Sequence, residues 1–268
     1  MINRGKHNIL GVLVDAVDYE GAVERIIEAA RHGRPFAVSA LAVHGVMTGV
    51  LDPIHRHRLN ALDLVVPDGQ PVRWALNRLY GAELADRVYG PTLMLKTCQR
   101  AEKDQLPVFL FGGTQALLDR LAERLVARFP ALRIAGLQPS KFRRLLPDER
   151  DETVARSHQS GAALVLVGLG CPRQEVWAYE FRTALSRPIL AVGAAFNFHA
   201  GLLSQAPPRL QEWGLEWFYR LLAEPRRLWR RYLLLNPIYA SLLCLQLCGL
   251  RHFDPASTQP PTEELLYG

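Results

Sequence analysis

Residues with chemical potential are sparse in this chain, and most of them close runs of apolar sequence. Asp68 ends VVPDGQP (65–71). A carboxylate at a strand end can act as a general base or a metal ligand, although Asp-Gly is also ordinary turn chemistry. Arg87 lies in ADRVYGP (85–91), a loop in which a guanidinium could grip a diphosphate or simply face solvent. Gly112, Gly113 and Thr114 stand between a predicted strand and a predicted helix. Glycines there admit a ligand close to the backbone, and a helix start offers free N–H groups to phosphate. A tight turn with Thr114 as cap fits equally well.

VLVGLGCPRQE (165–175) places Gly168 and Gly170 after a strand, with Pro172 at the start of the next helix. Arg173 stands where the third glycine of a dinucleotide loop belongs, so NAD or FAD is a poor fit and a nucleotide phosphate a better one. Gln174 and Glu175 fall in the first helical turn, beside any such ligand or simply compensating the helix dipole. Ser39 and His44, in PFAVSALAVHG (35–45), add a hydroxyl and an imidazole. No Ser/His/Asp set emerges from the spacing. The arginines Arg220, Arg226, Arg227, Arg230 and Arg231 are interleaved with Trp213, Trp217, Tyr219, Trp229 and Tyr232. A basic aromatic helix of this kind suits an anionic membrane surface. No recognised nucleic-acid module accompanies the charge.

The elements that must position these residues alternate. Apolar runs at 8–17, 35–43, 62–69, 106–113, 133–139, 161–172 and 188–198 read as strands, the first as a strand or hairpin. Between them, helical periodicity covers 18–30, 70–80, 92–104, 115–129, 148–159 and 173–185, with Asp18 a candidate cap. Such alternation predicts an α/β fold: a Rossmann-like parallel sheet covered by helices on both faces, binding ligands past the carboxyl ends of its strands. Residues 1–213 are expected to form this core. Residues 214–250 break the rhythm as a basic, aromatic and then apolar helical appendage, and 251–268 read as a disordered tail. The run from 232 to 250 is long enough to span a membrane, but Asn236, Pro237, Ser241 and Gln246 point to an interfacial or core-packed segment.

With 268 residues, a net charge of +6 and a pI near 9.3, the chain has ordinary globular composition and a basic surface suited to phosphates or anionic lipid. Cys98, Cys171, Cys244 and Cys248 form no C-x-x-C pair and read as reduced thiols. No signal peptide is evident, so a cytoplasmic protein is expected.

The stretches VVPDGQPVRWA, RVYGP, VFLFGGTQ, VGLGCPRQE, VGAAFNFHAG and GLEWFYRLLAEPRRLWRRYLLLNP, in this order, resemble the WecG/TagA/CpsF glycosyltransferases (glycosyltransferase family 26). The resemblance implies a GT-E fold and an inverting, metal-independent transfer without a cofactor. The donor would be a UDP-sugar and the acceptor a sugar on undecaprenyl diphosphate, at the cytoplasmic leaflet, in surface or exopolysaccharide synthesis. It assigns the base to Asp68 and an active-site arginine to Arg87. Ser39, Gln174 and the arginines of the appendage, among them Arg220 and Arg227, become substrate-binding. The pattern G-A-x-F-D-F reads here with Phe196 and with Asn197 in place of the aspartate, and the early T-x-N is Ser39-Ala40-Leu41. The SALAVHG version is closer to exopolysaccharide members of the xanthan β-glucosyltransferase type. A nucleotide-dependent oxidoreductase and a non-catalytic membrane scaffold are the rival readings. The apolar C-terminal surface could also join copies of the chain in a homo-oligomer.

Overall fold

The structure is a computed structural model. It describes the backbone of residues 1–268 and every side chain except those of Pro208, Glu212, Arg227, Arg230 and Arg231. The chain opens with an antiparallel hairpin, β1 (Asn3–Ile9) and β2 (Val12–Val17). Leu10 and Gly11 turn it with φ of 55° and 88°, the pair of positive values that matches strand twist in a two-residue turn. Helix α1 (Tyr19–Arg31) follows, capped as expected by Asp18, whose side chain accepts from the Gly21 N–H.

Six parallel strands form the main sheet: β3 (Phe36–Leu41), β4 (Leu64–Pro67), β5 (Val108–Phe111), β6 (Ile134–Gln138), β7 (Leu164–Val167) and β8 (Pro188–Ala191). Their spatial order is β4-β3-β8-β7-β5-β6. Helices α2 (Val43–Leu51) and α3 (Pro53–Asn60) join β3 to β4, and α4 (Gln70–Tyr80) and α5 (Gly90–Lys103) join β4 to β5. Single helices, α6 (Gln115–Arg128), α7 (Pro147–Gln159) and α8 (Arg173–Leu185), make the remaining crossovers. Short helices close the chain: α9 (Ala195–His199), α10 (Pro208–Glu212), α11 (Glu216–Ala223), α12 (Pro225–Leu233) and α13 (Leu235–Leu247).

Burial on both faces accounts for the continuous apolar strands. In β5, Val108 and Leu110 point into one core with Ile26, Met94 and Leu118, while Phe109 and Phe111 point into the other with Trp177 and Phe181. The rings of Phe111, Trp177 and Phe181 stack in series, with centroids 4.6 and 4.3 Å apart.

Three expectations need correction. The apolar run 188–198 is not one strand: β8 ends at Ala191, Gly193 takes φ 52°, and the chain then enters α9, which carries Phe196 and Asn197. Strand β3 stops at Leu41, and 43–51 is helical. The tail 251–268, expected to be disordered, forms no helix or named strand but is tied down. The N–H groups of Leu265 and Leu266 donate to the Glu180 carboxylate at 2.8 and 2.9 Å, and Phe253 is buried.

Helix α13 has one face on the core. Tyr239 is buried and donates to the Pro71 carbonyl at 3.2 Å, and the Gln246 amide bonds the hairpin at Asn8 and Leu10. Ile238, Leu247 and Leu250 remain exposed. Among the described residues, no helix is long and apolar enough to cross a membrane.

The sheet's carboxyl edge depends on one close backbone approach. Gly112 has φ 113°, and a Cβ there would lie 2.9 Å from the Gly168 backbone. Gly112→Ala combines a strained φ with that clash, so it should cost about 2 kcal/mol or more in urea denaturation. An unchanged midpoint would show that the two loops are not in contact.

Candidate active site

A cavity of about 690 Å³ opens at the carboxyl ends of β3, β4, β7 and β8. Its floor is the turn after β3 (Ala40 to Gly45), Asp68 after β4, and the loop Gly168 to Cys171 after β7. Asn197 and Phe198 of α9 form one wall, and Arg220 of α11 with Leu228, Leu234 and Leu235 covers it. The C-terminal segment is therefore part of the site.

Asp68 is half-buried and is the single carboxylate among the described residues lining the cavity. Its own N–H extends the β3–β4 ladder by donating to the Leu41 carbonyl at 3.1 Å. Its Oδ1 accepts from the Gly90 N–H at 2.7 Å, at the start of α5. Desolvation pushes its pKa up to about 6, against the pull of Arg87, the Gly90 N–H and Arg220; Glu216 pushes the same way as desolvation. A carboxylate so placed is ionised near neutral pH yet basic enough to take a proton.

Arg87 does not line this cavity. It is 7% exposed, donates to Glu216 at 2.6 Å and to Gln211 at 3.3 Å, and stacks over the Tyr89 ring at 4.3 Å. Tyr89, which does line the cavity, donates its hydroxyl to the other Glu216 oxygen at 3.0 Å. Burial and the neighbouring Glu216 and Asp68 carboxylates raise the Tyr89 pKa, so the phenol remains a donor. Arg87 thus ties α11 to the loop behind Asp68. Arg87 stands in a loop, as read from the sequence, and its guanidinium is engaged by Glu216.

Ser39 is fully buried on β3 and donates to Glu175 Oε1 at 2.9 Å, so it supports the floor from below. Glu175, also fully buried, accepts from Gln174 Nε2 at 2.9 Å, and its pKa is raised by desolvation. Gln174 lines the cavity, and its Oε1 accepts from the Gly170 N–H at 3.1 Å. The three form a relay from the β3 interior to the Gly168–Gly170 loop. Pro172 precedes α8 and does not face the cavity, whereas Cys171 beside it does. Phe196 is buried beneath Gly168, where a side chain would collide with its ring, while Asn197 lines the cavity.

Gly112, Gly113 and Thr114 lie outside the cavity lining. Gly112 packs on Gly168, Gly113 takes φ 71°, and Thr114 caps α6 by accepting from the Leu117 N–H. The turn-and-cap reading is the one the geometry supports. Arg220 reaches the cavity and lies 5.7 Å from the Phe198 ring centroid. The Arg227 side chain is outside the described residues. Sequence reasoning passed over Tyr89, Gly90 and Glu216. The first two sit in the same stretch as Arg87, and Glu216 is an acid in an otherwise basic, aromatic segment, which was the available signal.

A doubly covered parallel sheet with a crevice at its carboxyl edge is the Rossmann-like arrangement, in which ligands bind past the strand ends. The model of the Glycosyl transferase WecG/TagA/CpsF family matches residues 7–252, nearly the whole chain, and the chain belongs to that family. It is a glycosyltransferase, of a family whose members take a sugar-nucleotide donor and a lipid-linked acceptor.

Because Arg87 and Glu216 are buried together, removing either leaves an uncompensated charge, which typically costs about 3–5 kcal/mol. Glu216→Ala and Arg87→Ala should each destabilise by that order, and the double variant by less than the sum. Additive losses in urea denaturation would mean that the pair is not formed.

Proposed function

We propose that the chain transfers a sugar from a UDP-sugar to a sugar on undecaprenyl diphosphate at the cytoplasmic membrane face, within exopolysaccharide or surface-glycan synthesis, by an inverting, metal-independent displacement. The observation that carries the reading is Asp68: the one carboxylate lining the cavity among the described residues, anchored by the Gly90 N–H, with its pKa pushed up to about 6.

In this mechanism Asp68 takes the proton from the acceptor hydroxyl while that oxygen attacks the anomeric carbon. The new glycosidic C–O bond forms as the bond to the diphosphate breaks. The nucleoside diphosphate leaves with the electron pair. A single displacement inverts the anomeric centre, and one carboxylate suffices for it. Arg220 and the backbone of the Gly168–Gly170 loop face the cavity and would offset the charge of the departing diphosphate. Gln174 holds that loop in shape. Arg87 acts through Glu216 and Tyr89, holding Arg220's helix over the site.

The membrane reading is supported by Trp213, Phe218, Leu222, Trp229, Leu233 and Leu234, all exposed on the segment that covers the cavity. Aromatic and leucine side chains beside arginines suit the headgroup boundary, where a lipid-linked acceptor presents its sugar.

Radiolabelled transfer from a panel of UDP-sugars into lipid extract tests the reaction. Asp68→Asn should keep donor binding and lose on the order of 10²–10⁴ in turnover; near-normal turnover would remove Asp68 as base. The base works only when deprotonated, so a raised pKa moves the acid limb of the profile upward. kcat/KM should be level above about pH 7 and fall about tenfold per unit below the Asp68 pKa of about 6. A limb near the ordinary carboxylate value of about 4 would contradict the desolvated setting.

A further inference from the structure

Three consecutive N–H groups lead into α5, and each is claimed by a different acceptor. The Val88 N–H donates to the Pro67 carbonyl at 2.9 Å, the Tyr89 N–H to the Tyr19 hydroxyl oxygen at 2.9 Å, and the Gly90 N–H to Asp68 Oδ1 at 2.7 Å. The first and third tie the segment to the end of β4 and to the carboxylate just past it. The second ties it to α1, of which Tyr19 is the first residue.

A helix start has N–H groups without intrahelical partners. At α5 the N-cap residue, Tyr89, supplies no side-chain cap, and Pro91 has no N–H. Acceptors therefore come from outside the helix, and Tyr19 provides one. Its hydroxyl also bonds the Thr92 side chain, so it grips α5 on either side of Gly90 in sequence. Tyr19 is itself fixed. It follows the cap residue Asp18, whose side chain accepts from the Gly21 N–H at 2.8 Å and whose own N–H donates to the Ile2 carbonyl at 3.1 Å. Its ring packs on the core that contains Leu93 and Met94 of α5. Tyr89 is buried, and a buried N–H deprived of its acceptor is costly, so the segment would shift to recover one. The Gly90 N–H, one residue on, would shift with it.

We propose that Tyr19 is a positioning residue for the transfer: its hydroxyl oxygen holds the start of α5 where the Gly90 N–H orients the Asp68 carboxylate. The inference rests on the reading of Asp68 as the base.

Tyr19→Phe in the full chain removes the oxygen and keeps the ring. The Gly90 N–H favours the ionised carboxylate, so loosening it moves the Asp68 titration upward. The charged and titratable groups around Asp68 stay in place: Arg87 and Tyr89 before α5, Glu216 and Arg220 of α11, and His44 of α2. With a UDP-sugar and a short-prenyl diphosphate-linked acceptor, kcat should fall about fivefold while both KM values hold. The acid limb of kcat/KM should rise by about half a pH unit or more. A lower kcat with the limb unmoved is the mark of a merely structural role and overturns the proposal, as does wild-type behaviour in both. Carbon-13 titration of the Asp68 carboxyl reads the hold without turnover. An upward shift in Tyr19→Phe supports it even where Asp68→Asn still turns over, a result that sinks the base reading alone. Superposable titrations of the two proteins overturn it.

Discussion

The site exists as an enclosure because one buried ion pair, Arg87–Glu216, fastens the C-terminal helices over the sheet's carboxyl edge. A parallel sheet by itself gives an open crevice. Here Glu216 uses both oxygens, one on the Arg87 guanidinium and one on the Tyr89 hydroxyl, and the Arg87 plane lies over the Tyr89 ring. Such a pair repays its desolvation only when every hydrogen bond is made. Both Glu216 oxygens are used in this way, and the pair joins α11, which carries Arg220, to the loop behind Asp68. The same pair sets the electrostatics: Arg87 lowers the Asp68 pKa and Glu216 raises it, so together they partly cancel and leave desolvation dominant.

The cavity floor shows a comparable economy. Ser39, Glu175 and Gln174 pass a chain of hydrogen bonds from the sheet interior to the Gly170 N–H. The loop after β7 is thereby shaped from beneath, with Phe196 filling the space under Gly168. Ser39 and Glu175 are supports of this surface, while Gln174 both holds the loop and faces the cavity together with Arg220 and Asn197.

The sheet was legible because its strands are buried on both faces and therefore read as unbroken apolar runs; helices α1 and α6 showed 3.6 periodicity after the side-chain caps Asp18 and Thr114. The run 188–198 misled because apolar residues at a strand end and in the short helix α9 look alike in composition, and only the positive φ of Gly193 separates them. The tail misled for a different reason. Its polar composition hides backbone N–H groups at Leu265 and Leu266 that are satisfied by Glu180, 85 and 86 residues away in sequence. At the site, the position of Asp68 after a strand was readable, whereas Asp-Gly spacing by itself suits an ordinary turn equally, and only the family resemblance singled it out as a base. The true setting of Arg87 was not readable, since its partner lies 129 residues onward and pairing over such a span leaves no local pattern.

The hairpin that opens the chain has a consequence for self-recognition. An unpaired edge strand offers its amides to any other extended chain. At β4 that edge is blunted, because the Val65 N–H donates to the buried Asp15 carboxylate of β2, itself held by Arg25. A negative charge pointing inward at a strand border deters a second strand as well as satisfying the first. Association of copies by β-augmentation is thus discouraged at the β4 side.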